Sequence, residues 1–465
     1  MTATDWKLIV LALAAIGALV LLITRFKVNA FISLLLASMV VGSGAVLLGR
    51  VVRDAAGKES AYNMLGVAKS FSDGLGATLG SIAAIVGLGT MLGKLLAESG
   101  GAEVLARQFV AFFGPRHIQW CIMALALAVG LTTWFAVGLV LLLPILLTLT
   151  HETKQPFLLL TLPLLSCLSV MHGVMPPHPG PVVAVESLHV NMGLVLIWGF
   201  IIGIPTAAVA GPLFARWAVQ RVEAHPPPVP RKVGALPEGF RLPGFGLTLF
   251  SILLPVVLML VATLAELCLP KGHDLRETAT FIGNPTIALT VAVLFASWSL
   301  GLSCGYRPAE VLKFTESSIA AVGMTILVIG GGGGFARVLR DSGVAESIGR
   351  LGEMAQLSPL LYGWLVSAFI RVATGSATVA ITTASGLLIP VLASHPELGQ
   401  NHKALIVVAI GCGSLFLSHL NDAGFWIVKD SLGLSVNQTL RTWTVCETIV
   451  GIFGMLLSLL VYRML

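Results

Sequence analysis

The sequence predicts an all-α, polytopic membrane protein made of two inverted repeats with broken helices and re-entrant hairpins. Three observations favour this fold class: a lipid-soluble composition, similar blocks in both halves, and glycine or proline clusters that interrupt the longest apolar runs. Of the 465 residues, 56% are hydrophobic and 11% are charged, whereas a typical soluble domain has about 25% charged residues. Together with the mean hydropathy of +0.93, this excludes a soluble fold.

Apolar runs follow one another along the whole chain. A membrane helix needs roughly 20 apolar residues, and about a dozen runs reach that length. Two of them, 118–150 and 358–394, are too long for one span. The first run lacks a small-residue cleavage site and is predicted to be a retained span. The net charge of +6 comes from single Lys and Arg residues between the runs, which indicates positive-inside loops in a lipid bilayer and not nucleic-acid binding.

The two halves of the chain share four blocks in the same order. One pair is "GLGTMLGKLLAESGGAE" at 87–103 and "GGGGGFARVLRDSGVAE" at 330–346. A proline-rich, cationic stretch separates the halves, so we predict a first membrane repeat at 1–220, a cytoplasmic linker at 221–245 and a second membrane repeat at 246–465. An odd number of crossings per half would invert the second repeat, as in secondary transporters.

Five segments are predicted to interrupt the helices: Gly87–Gly93, Gly130–Thr133, Pro176–Pro181, Gly330–Gly334 and Arg371–Gly386. Prolines remove amide donors, and at membrane depth freed backbone groups are tolerated only where they meet protein, water or a ligand. The alternative for the proline cluster is a plain surface turn. The five consecutive glycines are not a phosphate loop, because no Lys-Ser/Thr follows. Close helix packing or a flexible hairpin is expected there.

Polar residues in or beside these segments are the candidates for a site. Asp422 lies at the end of an apolar run, where a carboxylate marks a substrate or ion pathway or belongs to an interfacial loop. Thr374–Thr378 offers hydroxyls and free amides that suit a carboxylate at helix N-termini, although helix packing uses the same residue types. His172 and His178 have no carboxylate or cysteine at ligand spacing, so no metal is predicted. No other cofactor is predicted either.

Four motifs resemble the gluconate permease (GntP) family over nearly the whole chain: "MPPHPGPV", "GGGFARVLRDSGV", "RVATGSATVA" and "SHLNDAGFWIVKDSLGLSVNQTLRTWTVCETI". The resemblance implies a proton-coupled importer of a small hydroxylated carboxylate in the bacterial inner membrane. Gluconate is the foremost substrate, and idonate, fructuronate or D-serine are the alternatives. The resemblance also implies the ion transporter superfamily, whose members pair inverted repeats and form homodimers. One departure is Ala136, where the family commonly has a glutamate.

The predicted site combines residues from the breaks of both halves. The substrate-binding residues are predicted to be Thr132, Thr133, His178, Gly180, Gly375, Ser376, Thr378, His419 and Asn421. Co-transport of a proton is expected, because an inside-negative membrane opposes uptake of a lone anion by about 2.3 kcal/mol per 100 mV. Since Ala136 cannot ionise, Asp422 is predicted to take that proton, with His178 in reserve.

Two other classes of function are weighed against a secondary transporter. A membrane-embedded enzyme would need a nucleophile with a base or a zinc motif such as HExxH. A channel would show pore rings repeated by subunits. Neither enzyme pattern is found in the sequence, and two inverted halves with breaks fit a transporter better than a channel. A non-enzymatic transporter of a small anion is therefore favoured.

Overall fold

The computed structural model describes residues 1–53, 59–114, 117–227, 240–344, 346–347, 350, 357–420 and 422–465. Within these residues the chain is almost entirely helical, which confirms the predicted all-α class. The exception is a short antiparallel hairpin, in which β1 (Val51–Arg53) pairs with β2 (Glu59–Ala61). Most of the predicted linker at 221–245 lies outside the described residues.

The first half contains ten described α-helices, and a π-helical turn at Val209–Leu213 joins the last two. In chain order they are α1 (Ala3–Thr24), α2 (Ala30–Leu47), α3 (Met64–Glu98), α4 (Gly101–Phe113), α5 (Ile118–Gly130), α6 (Phe135–Thr153), α7 (Phe157–Val174), α8 (Pro179–Ser187), α9 (Met192–Ala208) and α10 (Phe214–Ala218).

The second half also contains ten described α-helices, with π-helical turns at Ser297–Gly301 and Leu440–Thr444 and a 3-10 turn at Leu302–Cys304. In chain order they are α11 (Phe245–Cys268), α12 (Asp274–Ile282), α13 (Pro285–Ala296), α14 (Pro308–Asp341), α15 (Pro359–Thr374), α16 (Ala377–Ala393), α17 (Gln400–Gly413), α18 (Ala423–Ser431), α19 (Val436–Thr439) and α20 (Val445–Met464).

The protein is a multi-pass membrane protein with fewer full spans than the sequence predicts. In the described part of the chain, eight helices are long and apolar enough to cross a membrane, or ten if two bent pairs are counted as spans. The difference lies partly in the two over-long apolar runs, which are each divided by a break, and partly in α3, which is bent, and α17, which is only 14 residues long. Helices α5, α15 and α16 are apolar but only 13, 16 and 17 residues long.

Three of the five predicted interruptions are present. Helix α5 ends before a turn at 131–134, α7 ends before Met175–His178, and α15 ends before Gly375 and Ser376. The predicted extents were too wide, because helix resumes at Pro179 and again at Ala377. Proline is well suited to the first helical position, where the missing amide would be unpaired in any case.

The other two predicted interruptions are wrong, because α3 runs through Gly87–Gly93 and α14 through Gly330–Gly334. These glycines serve close packing. A Cβ atom on Gly333 would lie 1.9 Å from Oγ1 of Thr78 in α3, and one on Gly332 would lie 2.3 Å from Thr382 in α16. The expectation of close helix packing at the five glycines is therefore confirmed. Helix α3 does bend, by 43°, but around residue 81.

Helices from the two halves pack reciprocally around the breaks. Helix α8 of the first half packs against α16 of the second, and α18 of the second half packs against α6 of the first. Two further blocks of the sequence repeat pair 128–144 with 373–390 and 180–188 with 424–432, so α6 corresponds to α16 and α8 corresponds to α18. A pseudo-two-fold relation between the halves would produce this exchange, and the inversion of the second repeat stays a prediction.

Candidate functional site

A cavity of about 280 Å³ lies where helix ends from both halves meet. This volume is close to the lower end of the range for small-molecule sites, roughly 300–1,000 Å³. Its wall consists of Trp134, Phe135, Ala136, Ser169, His172, Arg371, Gly375, Ser376, Ala377, Thr378, Leu415, Asp422, Ala423, Gly424, Ile427, Trp443 and Glu447. The first and second halves therefore both contribute to this central cavity.

Three helices begin at the cavity wall. Phe135, Ala377 and Ala423 are the first residues of α6, α16 and α18. Helix α16 is capped by Ser376, whose hydroxyl accepts a hydrogen bond from the amide of Val379 at 3.3 Å. The N-terminus of a helix carries a partial positive charge and free amide donors, so the convergence of three of them favours an anion.

Arg371, in the last turn of α15, is the cation of the cavity and only 4% exposed. One terminal nitrogen donates to the carbonyl of Gly375 at 2.8 Å, and the other donates to the carboxylate of Asp422. Gly375 has a φ of +72°, a conformation that glycine adopts without strain and that turns its carbonyl back to the guanidinium. The buried Nε of Arg371 has no hydrogen-bond partner, so one donor remains for a ligand.

Asp422 caps α18 and is fully engaged. Its carboxylate accepts hydrogen bonds from Arg371, from the hydroxyl of Ser418 and, at 2.8 Å, from the amide of Gly424. Trp443 supports Ser418 by donating its indole N–H to the hydroxyl at 2.7 Å. The assignment of the coupling proton to Asp422 stays a prediction.

Glu447, in the first turn of α20, contrasts with Asp422. It is completely buried, and neither of its carboxyl oxygens has a hydrogen-bond partner. The hydroxyl of Ser169 lies close enough to interact with it but forms no hydrogen bond of good geometry. His172, another residue of the cavity wall, likewise has a buried Nδ1 without a partner.

Arg371 and Glu447 are not among the site residues predicted from the sequence. A signal for both was present, because each is the only charged residue in a long apolar stretch. Arg371 is alone between 358 and 394, and Glu447 is alone between 442 and 462. An isolated ionisable residue in a membrane segment is by default a candidate for function.

Four of the predicted site residues lie in the cavity wall: Gly375, Ser376, Thr378 and Asp422. The hydroxyls of Thr132 and Thr133 instead donate to the carbonyl of Val129, at 3.4 and 2.8 Å. His419 is not part of the wall, and Asn421 lies outside the described residues.

His178 and Gly180 are not part of the cavity wall, and both contact protein. The Nε2 of His178 donates to the carbonyl of Gly130 at 2.6 Å, and its ring lies 5.4 Å from that of His172. A Cβ atom on Gly180 would lie 2.5 Å from Ile381 in α16. Substrate binding by these residues stays a prediction. Within the described ranges, no group of three or more His, Cys, Asp or Glu residues is arranged to hold a metal ion.

The sequence of the whole chain decides its family. The model of the GntP family permeases matches residues 6–465. The chain belongs to the GntP permease family. It is therefore a membrane transporter and not an enzyme, as the sequence analysis predicts. This GntP permease is 40% identical over 453 residues to the gluconate permease of Zymomonas mobilis subsp. mobilis, covering 97% of each chain.

Other comparisons agree with the GntP assignment. Over 450 residues the permease is 40% identical to the Gnt-II system L-idonate transporter of Escherichia coli, again covering 97% of each chain. Among solved structures it is similar to the YdaH transporter of Alcanivorax borkumensis, with a TM-score of 0.62 and 14% identity. That similarity covers 92% of this chain and 96% of the other, and at this identity it shows the fold alone.

Proposed function

We propose that this GntP permease imports gluconate, or a sugar acid of similar size, together with protons across a bacterial inner membrane, and that it works as a homodimer. The names of its relatives support gluconate as the first candidate, because a gluconate permease is 40% identical over almost the full length. Several hydroxyls and one carboxylate are the groups that such a substrate presents to a site.

The observation that carries the proposal is the convergence of three helix starts and Arg371 on one cavity. A carboxylate placed there would meet the unpartnered Nε of Arg371 and the free amides at the start of α16 or α18. Helix N-termini and a guanidinium both favour an anion. Asp422 already neutralises part of the charge of Arg371, so the helix amides are needed to hold the substrate.

The rest of the cavity suits a polyhydroxylated chain. Ser376 and Thr378 offer hydroxyls, and Trp134 and Trp443 offer flat apolar surfaces. Amphipathic aromatic rings can pack against the C–H faces of such a chain while polar groups take its hydroxyls. L-idonate carries the same kinds of group, and the relative named as an L-idonate transporter is also 40% identical to this chain. L-idonate is therefore the second candidate.

Uptake into proteoliposomes tests the proposal. We expect saturable accumulation of labelled gluconate above its external concentration when the pH gradient is directed inward, and loss of accumulation when a protonophore collapses that gradient. Unlabelled idonate, fructuronate and D-serine, added as competitors, rank the substrates. Protein-free vesicles are the control. Flux that only equilibrates the substrate would point to a channel, and chemical conversion would point to an enzyme.

A further inference from the structure

We infer that Glu447 is the proton-binding site of this permease, and that its neutral form is required for the substrate anion to bind. The transport consequences of this inference rest on the proposed function. The protonation of Glu447, in contrast, can be measured without any substrate. It is motivated by a buried carboxyl group that faces the cavity and has no hydrogen-bond partner.

The charged and titratable groups around Glu447 are few. Arg371 from α15, Asp422 from the start of α18 and His172 from α7 line the same cavity as Glu447. Cys446 precedes it in α20, and Cys412 of α17 lies near Gly454, further along the same helix. Arg371 is the one fixed cation in this set, and it is already bonded to Asp422.

Burial makes the charged form of Glu447 costly. An ionised carboxylate removed from water must be paired or hydrogen-bonded, and otherwise it takes up a proton. Asp422 receives three hydrogen bonds, one of them from Arg371, whereas the oxygens of Glu447 receive none. Glu447 therefore lacks the partners that a buried ionised carboxylate needs, and this is the reason to place a proton on it.

The charge balance of the cavity links this proton to the substrate. With Glu447 neutral, Arg371 and Asp422 cancel, and the helix N-termini leave a partial positive potential for an anion. With Glu447 ionised, the cavity carries one net negative charge beside the place of the substrate carboxylate. Like charges in a site of low dielectric repel strongly, so anion binding and proton binding at Glu447 favour each other, as thermodynamic linkage requires.

Infrared spectroscopy of the purified permease in nanodiscs tests the proton itself. At neutral pH we expect a carboxylic-acid carbonyl band that is present in the wild type, shifts to lower frequency in heavy water, and disappears in Glu447→Gln. Ser458→Ala is the matched control, because Ser458 is another fully buried polar residue of α20 and bonds only within its helix. A band that persists in Glu447→Gln places the proton elsewhere and overturns the inference.

Transport assays test the coupling. In proteoliposomes, Glu447→Gln is expected to retain exchange of labelled for unlabelled gluconate but to lose accumulation driven by a pH gradient. Retained exchange shows that the variant is folded and binds substrate. Glu447→Asp keeps an ionisable group and should restore part of the accumulation. Undiminished proton-driven accumulation by Glu447→Gln contradicts the inference.

The pH profile of substrate binding separates a proton site from a merely structural residue. In the wild type, gluconate affinity should fall as the pH rises, because Glu447 then loses its proton. In Glu447→Gln the affinity should stay nearly constant over the same pH range. A wild type that transports no gluconate would refute the proposed substrate, while the infrared band would still decide the state of Glu447.

Discussion

Arg371 and Asp422 form a buried ion pair that joins the end of α15 to the start of α18, across 51 residues of sequence. Their side chains are only 5% and 7% exposed. The pair holds two helix breaks together at the cavity, and it leaves one nitrogen of the guanidinium for a ligand. The same contact therefore stabilises the second half and prepares the site for an anion.

This pair predicts a specific result in a double-mutant cycle. Breaking a buried ion pair by removing one partner leaves an uncompensated charge and costs about 3–5 kcal/mol. Arg371→Gln and Asp422→Asn should each lower the thermal stability in detergent strongly, whereas the double variant should lose much less than their sum.

The same three variants separate stability from binding. Every variant that lacks Arg371 should also lose gluconate affinity by at least about tenfold, which corresponds to about 1.4 kcal/mol. Additive stability losses in the cycle would show that the two side chains do not interact.

The fold was predictable from the sequence where local chemistry dictates it. The apolar runs identified a polytopic membrane protein, and the breaks near Gly130, Pro176 and Gly375 followed from glycine and proline. The five glycines from Gly330 illustrate the limit. A run of glycines can either loosen a helix or allow another helix to approach closely. The close approach of Thr78 in α3 shows that these glycines serve packing, and this contact cannot be read from the sequence.

The site was less predictable, because its members come from distant segments. The start of α16 was recognised through its glycine and hydroxyl residues. The function of Arg371 depends on Gly375 and Asp422, and the character of Glu447 depends on the absence of partners around it. Neither property can be read from neighbours in sequence, although both residues stand alone as charges in apolar runs.

The glycine contact between α3 and α14 predicts a position-specific loss of stability. Gly333→Ala should destabilise the protein by about 1–3 kcal/mol, the usual cost of overpacking, since its Cβ would lie 1.9 Å from Thr78. Gly323→Ala in the same helix is the matched control, because a Cβ there would meet no atom within 4 Å. The control should be neutral or stabilising by up to about 1 kcal/mol. Equal melting temperatures for both variants would argue against close packing at Gly333.

A substitution at Ala136 can change the charge of the cavity from α6, which is not one of the helices that carry Arg371, Asp422 and Glu447. Ala136→Glu adds a carboxyl group to the wall near the N-terminus of α6, where the helix dipole favours the ionised form. We expect weaker gluconate binding than in the wild type, with a larger difference in mildly alkaline than in mildly acidic buffer. Ala136→Gln, of similar size and without charge, is the control. Isothermal titration at several pH values measures the gluconate affinity of both variants. Equal losses of affinity in the two variants would show that the effect comes from side-chain size and not from charge.

His178 connects the break after α7 to the end of α5, and this contact predicts how its variants differ. Its Nε2 donates to the carbonyl of Gly130 at 2.6 Å, and the side chain is only 4% exposed. His178→Phe removes the donor and leaves a buried carbonyl unpaired, which costs about 1–3 kcal/mol. His178→Gln can still donate from its amide, so it should keep most of the stability lost in His178→Phe.

Thermal unfolding compares the two variants, and gluconate binding is measured on the same samples. If His178 acts through Gly130, affinity should follow stability in both variants; a stable His178→Gln protein that fails to bind gluconate would instead place His178 in contact with the substrate.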